Sequence, residues 1–475
     1  MFISSRFDMC YSEKLLVLKS VSNKFQIIVS WIFLLFILGG CTTAPMDQIE
    51  LMPAPDVYGN GLLNPLPETN PFNQIPYDGI LYVTDRTPAM TDDLEQYYRN
   101  DRGQIVRLGL AEVQFGKKEF AWDFARAVSM LKSRTEEFPV KISNVDEWGS
   151  MGSTIPYWFD RSLLSELGLP PDATEKFSDA INAQLAISKK KHVYIYVHGY
   201  KVAYENPILV SAELWHFLGY EGAFIAYAWP STPSKFAYIK DSDTSAGYAR
   251  NLRLLLELIA ERTDAEEIHV IGYSNGSRLV ARAMEQLALI HQGKTADEIW
   301  EQMPLRNAIL IGSDIDRGVF GSYMSDGILN VSKHISIYMS RYDKALGISQ
   351  FLTRRQRLGQ MWGGKGGEIH PLARQALIDH RDRISFINVS DAEGSDTGNG
   401  HGYFRSSPWA SSDVLMTMYY GLSPKQRGLV EQNDLPVFSF PPDYISRLWN
   451  AIETVEPEFA KDLRDFKAKQ DAGSN

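Results

Sequence analysis

The chain has 475 residues, with 48 Lys+Arg against 58 Asp+Glu and a formal net charge of −10. Its 44% hydrophobic and 22% charged content is that of a folded globular protein, which excludes a mainly disordered or collagen-like chain. The negative balance excludes bulk nucleic-acid binding, and the two cysteines, Cys10 and Cys41, exclude a disulfide framework or a Cys-based zinc site in the folded body.

Lys14, Lys19 and Lys24 precede an apolar run from Phe25 to Leu38, which leads into Leu38-Gly39-Gly40-Cys41. A basic flank, an apolar core and small residues before a cleavage point predict a secretory signal over residues 1–40. Its ending resembles a bacterial lipoprotein signal, which implies that Cys41 becomes the lipidated first residue of the mature chain; Gly39 departs from the commoner Ala or Ser. An uncleaved membrane anchor is the alternative, although the run is short of the roughly 20 residues of a span. Both readings predict an exported protein held to a membrane of the bacterial cell envelope. Pro45, Pro53, Pro55, Pro65, Pro67, Pro71 and Pro76 then predict a semi-extended tether over residues 41–78.

From Gly79 the pattern becomes globular and predicts one body over residues 79–456, ahead of a charged tail, 457–475. Ile80–Thr84 reads as a strand, and Ile105–Phe115 as a second. Residues 119–190 form an irregular insertion with a helix around Ala121–Lys132, expected as an elaborated sheet edge or part of a lid. From His192 the order is regular. Val193–Val197 is a continuous apolar run, as a strand buried on both faces of a parallel sheet should be. A helix at Ile208–Leu218, a strand at Ala223–Ala228 and a helix over Ala246–Arg262 follow, the last with Leu252, Leu255, Leu256 and Ile259 at helical spacing. Then come the strand Ile268–Ile271, a helix from Ser277 to Ile290, and strands at Ala308–Ile311, Ile335–Met339 and, last, Ile384–Val389. The alternation predicts an α/β fold, a mostly parallel sheet covered by helices on both faces, with ligand sites at the strand carboxyl ends.

Gly272-Tyr273-Ser274-Asn275-Gly276 fits G-x-S-x-G between an apolar strand and a helix rich in small residues. The turn needs glycines two residues either side of the serine, because side chains there would collide with strand and helix. It holds Ser274 in a strained conformation with its hydroxyl exposed above the sheet. A serine hydroxyl needs a base to take its proton and an acid to orient that base, and behind a serine turn of this strand-to-helix kind they follow in the chain order Ser, Asp or Glu, His. Of the nine histidines, His291, His334, His370, His380 and His401 follow Ser274. The first two belong to a helix end and a strand start, and His370 and His380 flank a helix-like stretch. His401 lies in Gly398-Asn399-Gly400-His401-Gly402, a loop able to fold back over the serine, and is the expected base. Asp343, after the strand ending at Met339, is the favoured acid, with Asp314 after the preceding strand as alternative. The loser is expected to cap a helix or brace its loop. The oxyanion hole is expected from the backbone N–H groups of Asn275 and of Tyr200, the latter after Gly199. His198 is expected to brace that loop rather than act as base.

These residues resemble the alpha/beta-hydrolase superfamily from about Gly79 to Leu422, and more narrowly a bacterial subfamily of alpha/beta hydrolases of unknown function. The matching stretches are His198-Gly199-Tyr200, Ala228-Trp229-Pro230-Ser231, the serine turn, Ser313-Asp314-Ile315-Asp316, the seven residues from Ser340 to Leu346, and Gly400-His401-Gly402-Tyr403-Phe404. The resemblance implies hydrolysis of an ester or related acyl bond through an acyl-serine intermediate, without a metal, and is nearly silent on substrate; no cofactor is expected, and the expected envelope location puts small-molecule acyl esters or lipids within reach. An amidase or peptidase with the same triad and a catalytically silent envelope lipoprotein acting as a binding module remain the alternatives. Tyr227, Trp229 and Tyr238 are candidates to line an acyl pocket but are expected mainly as packing, and Arg354, Arg355 and Arg357, candidates to bind an anionic substrate group, are expected mainly as a solvated helix face. Asp391, Glu393 and Asp396 lack the spacing of a calcium loop.

Overall fold

The computed structural model describes residues 47–456 apart from 60, 62, 118–120, 363–370 and 433–434, together with 461 and 464. The signal, Cys10, Cys41, Pro45, His370 and nearly all of the charged tail lie outside the described residues. Strands are β1 (Gln48–Glu50), β2 (Ile80–Pro88), β3 (Tyr98–Phe115), β4 (Pro139–Ser150), β5 (His192–Val197) and β6 (Ala223–Ala228). They continue as β7 (Glu267–Tyr273), β8 (Leu305–Ile311), β9 (His334–Met339), β10 (Ile384–Asn388), β11 (Val430–Gln432) and β12 (Val437–Ser439). Together they form a 12-stranded sheet in the order β1-β4-β3-β2-β6-β5-β7-β8-β9-β10-β12-β11.

The block from β2 to β12 is parallel, while β1, β3, β4 and β11 pair antiparallel at the two edges. β5 and β6 are buried at every position, as their unbroken apolar runs require of strands covered on both faces. Leu252, Leu255, Leu256 and Ile259 are fully buried along the helix Ala249–Arg262, which packs on Gly276–Ile290. The chain leaves β5 for β6 on one side and crosses to β7 on the other. The loops after β5 and β7 therefore diverge at their carboxyl ends, where an open α/β sheet leaves a crevice.

Several expectations need correction. Residues 47–78 do not stand off as a tether; from Asp47 on they belong to the same unit as the sheet. β1 pairs with β4, and Leu51, Met52, Val57, Tyr58 and Leu66 are buried. Tyr58 donates to the Phe217 carbonyl (2.6 Å), and Trp449 Nε1 donates to the Val57 carbonyl (2.8 Å). The prolines prevent a long helix here, but they do not stop the apolar residues between them from packing. The insertion 119–190 forms an edge: β4 pairs with the long β3, the helix Thr174–Ile187 packs on β3, and the helix Trp122–Ser129 is tied to the Leu66 and Pro67 carbonyls through Arg126 and Trp122. The helix read as Ala246–Arg262 is two helices, Tyr238–Gly247 and Ala249–Arg262, broken at Tyr248. β10 is not the last strand, because β12 continues the parallel order beyond it.

Candidate active site

Ser274 stands at the end of β7 with φ +53°, in the left-handed region that costs a non-glycine residue about 1–2 kcal/mol. Its neighbours hold it there. The Ser274 N–H donates to the Ile311 carbonyl (2.8 Å), and Ser277 Oγ donates to the Ser274 carbonyl (2.5 Å). The flanking glycines are demanded by space. A Cβ on Gly272 would stand 2.8 Å from Ser277 Cα, and one on Gly276 would stand 2.3 Å from the His198 carbonyl oxygen. Ser274 is nearly buried and lines a cavity of about 360 Å³ together with His401, Tyr200, Tyr238, Lys201 and Lys344.

His401 reaches this cavity from the loop after β10. Its Nδ1 lies 2.6 Å from Asp343 Oδ2, and the Asp343 side chain has no solvent exposure. The other carboxylate oxygen accepts from the Leu346 N–H (2.9 Å), so Asp343 also caps the helix Lys344–Thr353. One bond fixes the carboxylate and the other fixes the ring. Asn399 ties the two loops: its carbonyl accepts from the Lys344 N–H (3.0 Å), and its side chain accepts from the His401 N–H (3.1 Å). His401 Nε2 is buried and has no hydrogen-bond partner among the described residues, Ser274 Oγ included. Gly312, at φ +53°, leaves room for this pair, since a Cβ there would stand 2.9 Å from His401 Cε1. The glycine directly after β8 was the available sequence signal for that close approach, and the sequence reading missed it.

Asp314 is brought to the same cavity but not to the histidine. Its carboxylate accepts from Tyr238 Oη (2.7 Å) and from Ser349 Oγ, and pairs with Arg278 (3.2 Å) and Arg357 (3.4 Å). Arg357 is therefore buried, contrary to its expectation as part of a solvated face, whereas Arg354 and Arg355 are exposed. Tyr238 lines the cavity, while Tyr227 is fully buried with its hydroxyl on Asp85 (2.5 Å). Burial raises the Asp85 carboxyl to about 7, with Tyr227 and Asn251 acting against that rise.

The loop after β5 approaches the serine closely, and a Cβ on Gly199 would stand 2.9 Å from Ser274 Cβ. The backbone N–H groups of Tyr200 and Asn275 have no partner among the described residues. The Asn275 side chain is held by Ser245 (2.8 Å) and Ser242 (2.9 Å), which fixes the residue that carries one of them. His198 stacks on Trp229 at 5.1 Å, and its nitrogens face the Gly199 and Trp229 carbonyls at 2.6 and 3.1 Å. Burial, helped by Arg86, pushes it down to about 3, so the neutral ring donates to one carbonyl only. It lies between backbone segments and does not line the cavity.

Among the described residues one cluster has metal-ligand geometry: His192, Glu267 and His269, at the opposite ends of β5 and β7. Asn307 Nδ2 contacts the Thr417 carbonyl (3.1 Å) and His269 Nδ1 (3.0 Å), so the amide donates to both. That places the His269 proton on Nε2, the atom a metal would need, and the cluster is a poor fit for an ion. Asp391 is instead ion-paired with Arg341 (2.7 Å).

Residues 173–417, more than half of the chain, match the family described as alpha/beta hydrolase of unknown function (DUF900). No curated protein matches this chain. Similar solved structures include Thermogutta terrifontis esterase 2 phosphoramylated by tabun, at 14% identity and TM-score 0.26, over 48% of this chain and 80% of that one. Another is the native thermophilic esterase Est2 of the same organism, at 15% identity and TM-score 0.25, over 50% and 84%. Likenesses at these scores carry no argument about this chain. The family match does, and with the parallel sheet and the strained serine turn it makes this chain a member of the alpha/beta hydrolases of unknown function.

Proposed function

We propose that the protein is a serine hydrolase cleaving carboxylic esters through an acyl-serine intermediate. The observation that carries this reading is the 2.6 Å contact between His401 Nδ1 and Asp343, which leaves Nε2 without a partner in the cavity that Ser274 lines. In this reading His401 Nε2 takes the Ser274 proton as Oγ attacks the ester carbonyl. The N–H groups of Tyr200 and Asn275 receive the oxyanion, and Asp343 stabilises the imidazolium. As the C–O bond breaks, His401 gives the proton to the departing alkoxide. It then takes a proton from water, whose hydroxide releases the acid and restores Ser274 and His401.

The test is a fluorophosphonate probe followed by a chain-length series of acyl esters. Labelling of the parent, its loss in Ser274→Ala, and turnover of esters but not of matched amides are expected. Labelling with amide turnover alone would make the protein an amidase, and no labelling of a folded parent would make it a binding lipoprotein.

Attachment to the bacterial envelope through Cys41 belongs to the same proposal. No helix among the described residues is long and apolar enough to cross a membrane. Cys41→Ser is expected to leave an uncleaved precursor on gels. Unchanged processing would favour an uncleaved anchor.

A further inference from the structure

The cavity holding Ser274 opens beside two helical segments, 235–247 and Lys344–Thr353. Their inner sides are tied by the bond between Tyr238 Oη and Ser349 Oγ (2.7 Å). Their outer sides expose large apolar residues: Phe236 (97%), Ile239 (79%), Ile348 (62%), Phe351 (82%) and Leu352 (58%). On the second helix these recur at i, i+3 and i+4, which makes one exposed apolar stripe. Singly exposed apolar residues are ordinary, but a contiguous group marks an interaction surface.

Cations ring the group. Lys201, Lys240, Lys344, Arg354 and Arg355 are all exposed, in a chain whose formal net charge is −10. Lys344, Arg354 and Arg355 have no ion-pair partner among the described residues. Among the acids, Asp314 and Asp343 are buried and bonded, Asp243 pairs with Arg102 (2.8 Å) and Asp101 with Lys240 (3.9 Å), which leaves Lys344, Arg354 and Arg355 as the cations that carry the argument. An apolar stripe flanked by Lys and Arg has the chemistry of a helix lying in a membrane interface, with its cations toward anionic headgroups. Continuity of the surface decides between a bilayer and a protein. Ile348 and Leu352 also line the cavity that Ser274 lines, so two residues of the exposed apolar stripe stand at once on the outer rim and in the site. A protein seated on the rim would close that path, whereas a bilayer is itself a source of acyl chains.

We propose that this rim docks on an anionic lipid surface. Phe236, Ile239 and Phe351 insert among the headgroups, Lys344, Arg354 and Arg355 meet the lipid phosphates, and acyl substrates pass Ile348 and Leu352 to reach Ser274. Only that last step rests on the hydrolase reading above, so the test reads docking without activity. The full chain is reconstituted in phosphatidylcholine vesicles, with or without about one-third phosphatidylglycerol, and backbone amide exchange is followed by mass spectrometry. Exchange over residues 235–241 and 344–355 is expected to slow about fivefold or more in the anionic vesicles. The Phe236→Ser/Phe351→Ser variant, altered outside the cavity lining, is expected to lose that protection while its thermal melt and its fluorophosphonate labelling stay like the parent's. Equal exchange in the two vesicle types, or protection confined to the exposed Tyr157–Trp158 loop, would overturn the proposal. Protection without any ester turnover would uphold the docking and overturn the hydrolase reading, whereas turnover without protection would do the reverse.

Discussion

Asp343 and Asp314 follow neighbouring strands, β9 and β8, and both carboxylates are almost wholly buried. Their partners differ. Asp343 meets a histidine and a helix N-terminus, whereas Asp314 meets two arginines, a tyrosine and a serine. A carboxylate neutralised by two guanidinium groups is already compensated and supports the wall it stands in. One whose charged partner is a histidine can stabilise a proton that comes and goes. Burial and position are nearly the same for the two, so the partner decides what each acid is able to do.

The largest effect expected from this contrast lies on the Asp343 side. Ser274→Ala, His401→Ala and the double variant should each lose about 10⁴ to 10⁶ in kcat, with the double no worse than either single, because the base has nothing to activate once the nucleophile is gone. Steady-state kinetics on one ester check this, and multiplicative losses would show that the two residues do not act as a unit. A smaller loss is expected at Gly312, where an alanine methyl meets His401 Cε1 at 2.9 Å in a left-handed backbone. Gly312→Ala should lower kcat about 10- to 100-fold by displacing the ring, with KM little changed. An unaltered kcat would mean that the ring is not held against Gly312. The Asp314 side should respond in stability instead. Asp314→Asn leaves Arg278 and Arg357 uncompensated and should cost about 3 kcal/mol in urea unfolding, with kcat of the folded protein falling less than tenfold. A large fall in kcat with little loss of stability would give Asp314 the part assigned here to Asp343.

The order of strands and helices was legible because a doubly covered parallel sheet writes its strands as apolar runs, as at Val193–Val197 and Ala223–Ala228. The serine turn was legible because Gly272 and Gly276 are where a Cβ would collide. His401 followed from chain order and from its glycine-rich loop. The choice between the two acids rests on long-range contacts, since Arg278 and Arg357 reach Asp314 from distant parts of the chain. Of the two parts expected for the other acid, a helix cap or a bond bracing its loop, Asp314 takes the second, through Tyr238 and Ser349; the caps here are Asp343 and, after β8, Asp316. The tether was misread because the prolines drew attention from Leu51, Met52, Val57 and Tyr58, whose spacing follows no helical or strand period. β11 and β12 span three residues each, too short for a period to register.

The central claim is that Asp343, through His401, activates Ser274, while the equally buried Asp314 does not. It is tested most directly by the rate of fluorophosphonate labelling for the parent, Asp343→Asn and Asp314→Asn, measured side by side at one pH with melts confirming the folded fraction. The account predicts labelling slowed at least about 100-fold in Asp343→Asn, where the imidazole loses its orienting carboxylate, and within about tenfold of the parent in Asp314→Asn. The reverse ranking in folded proteins would contradict it.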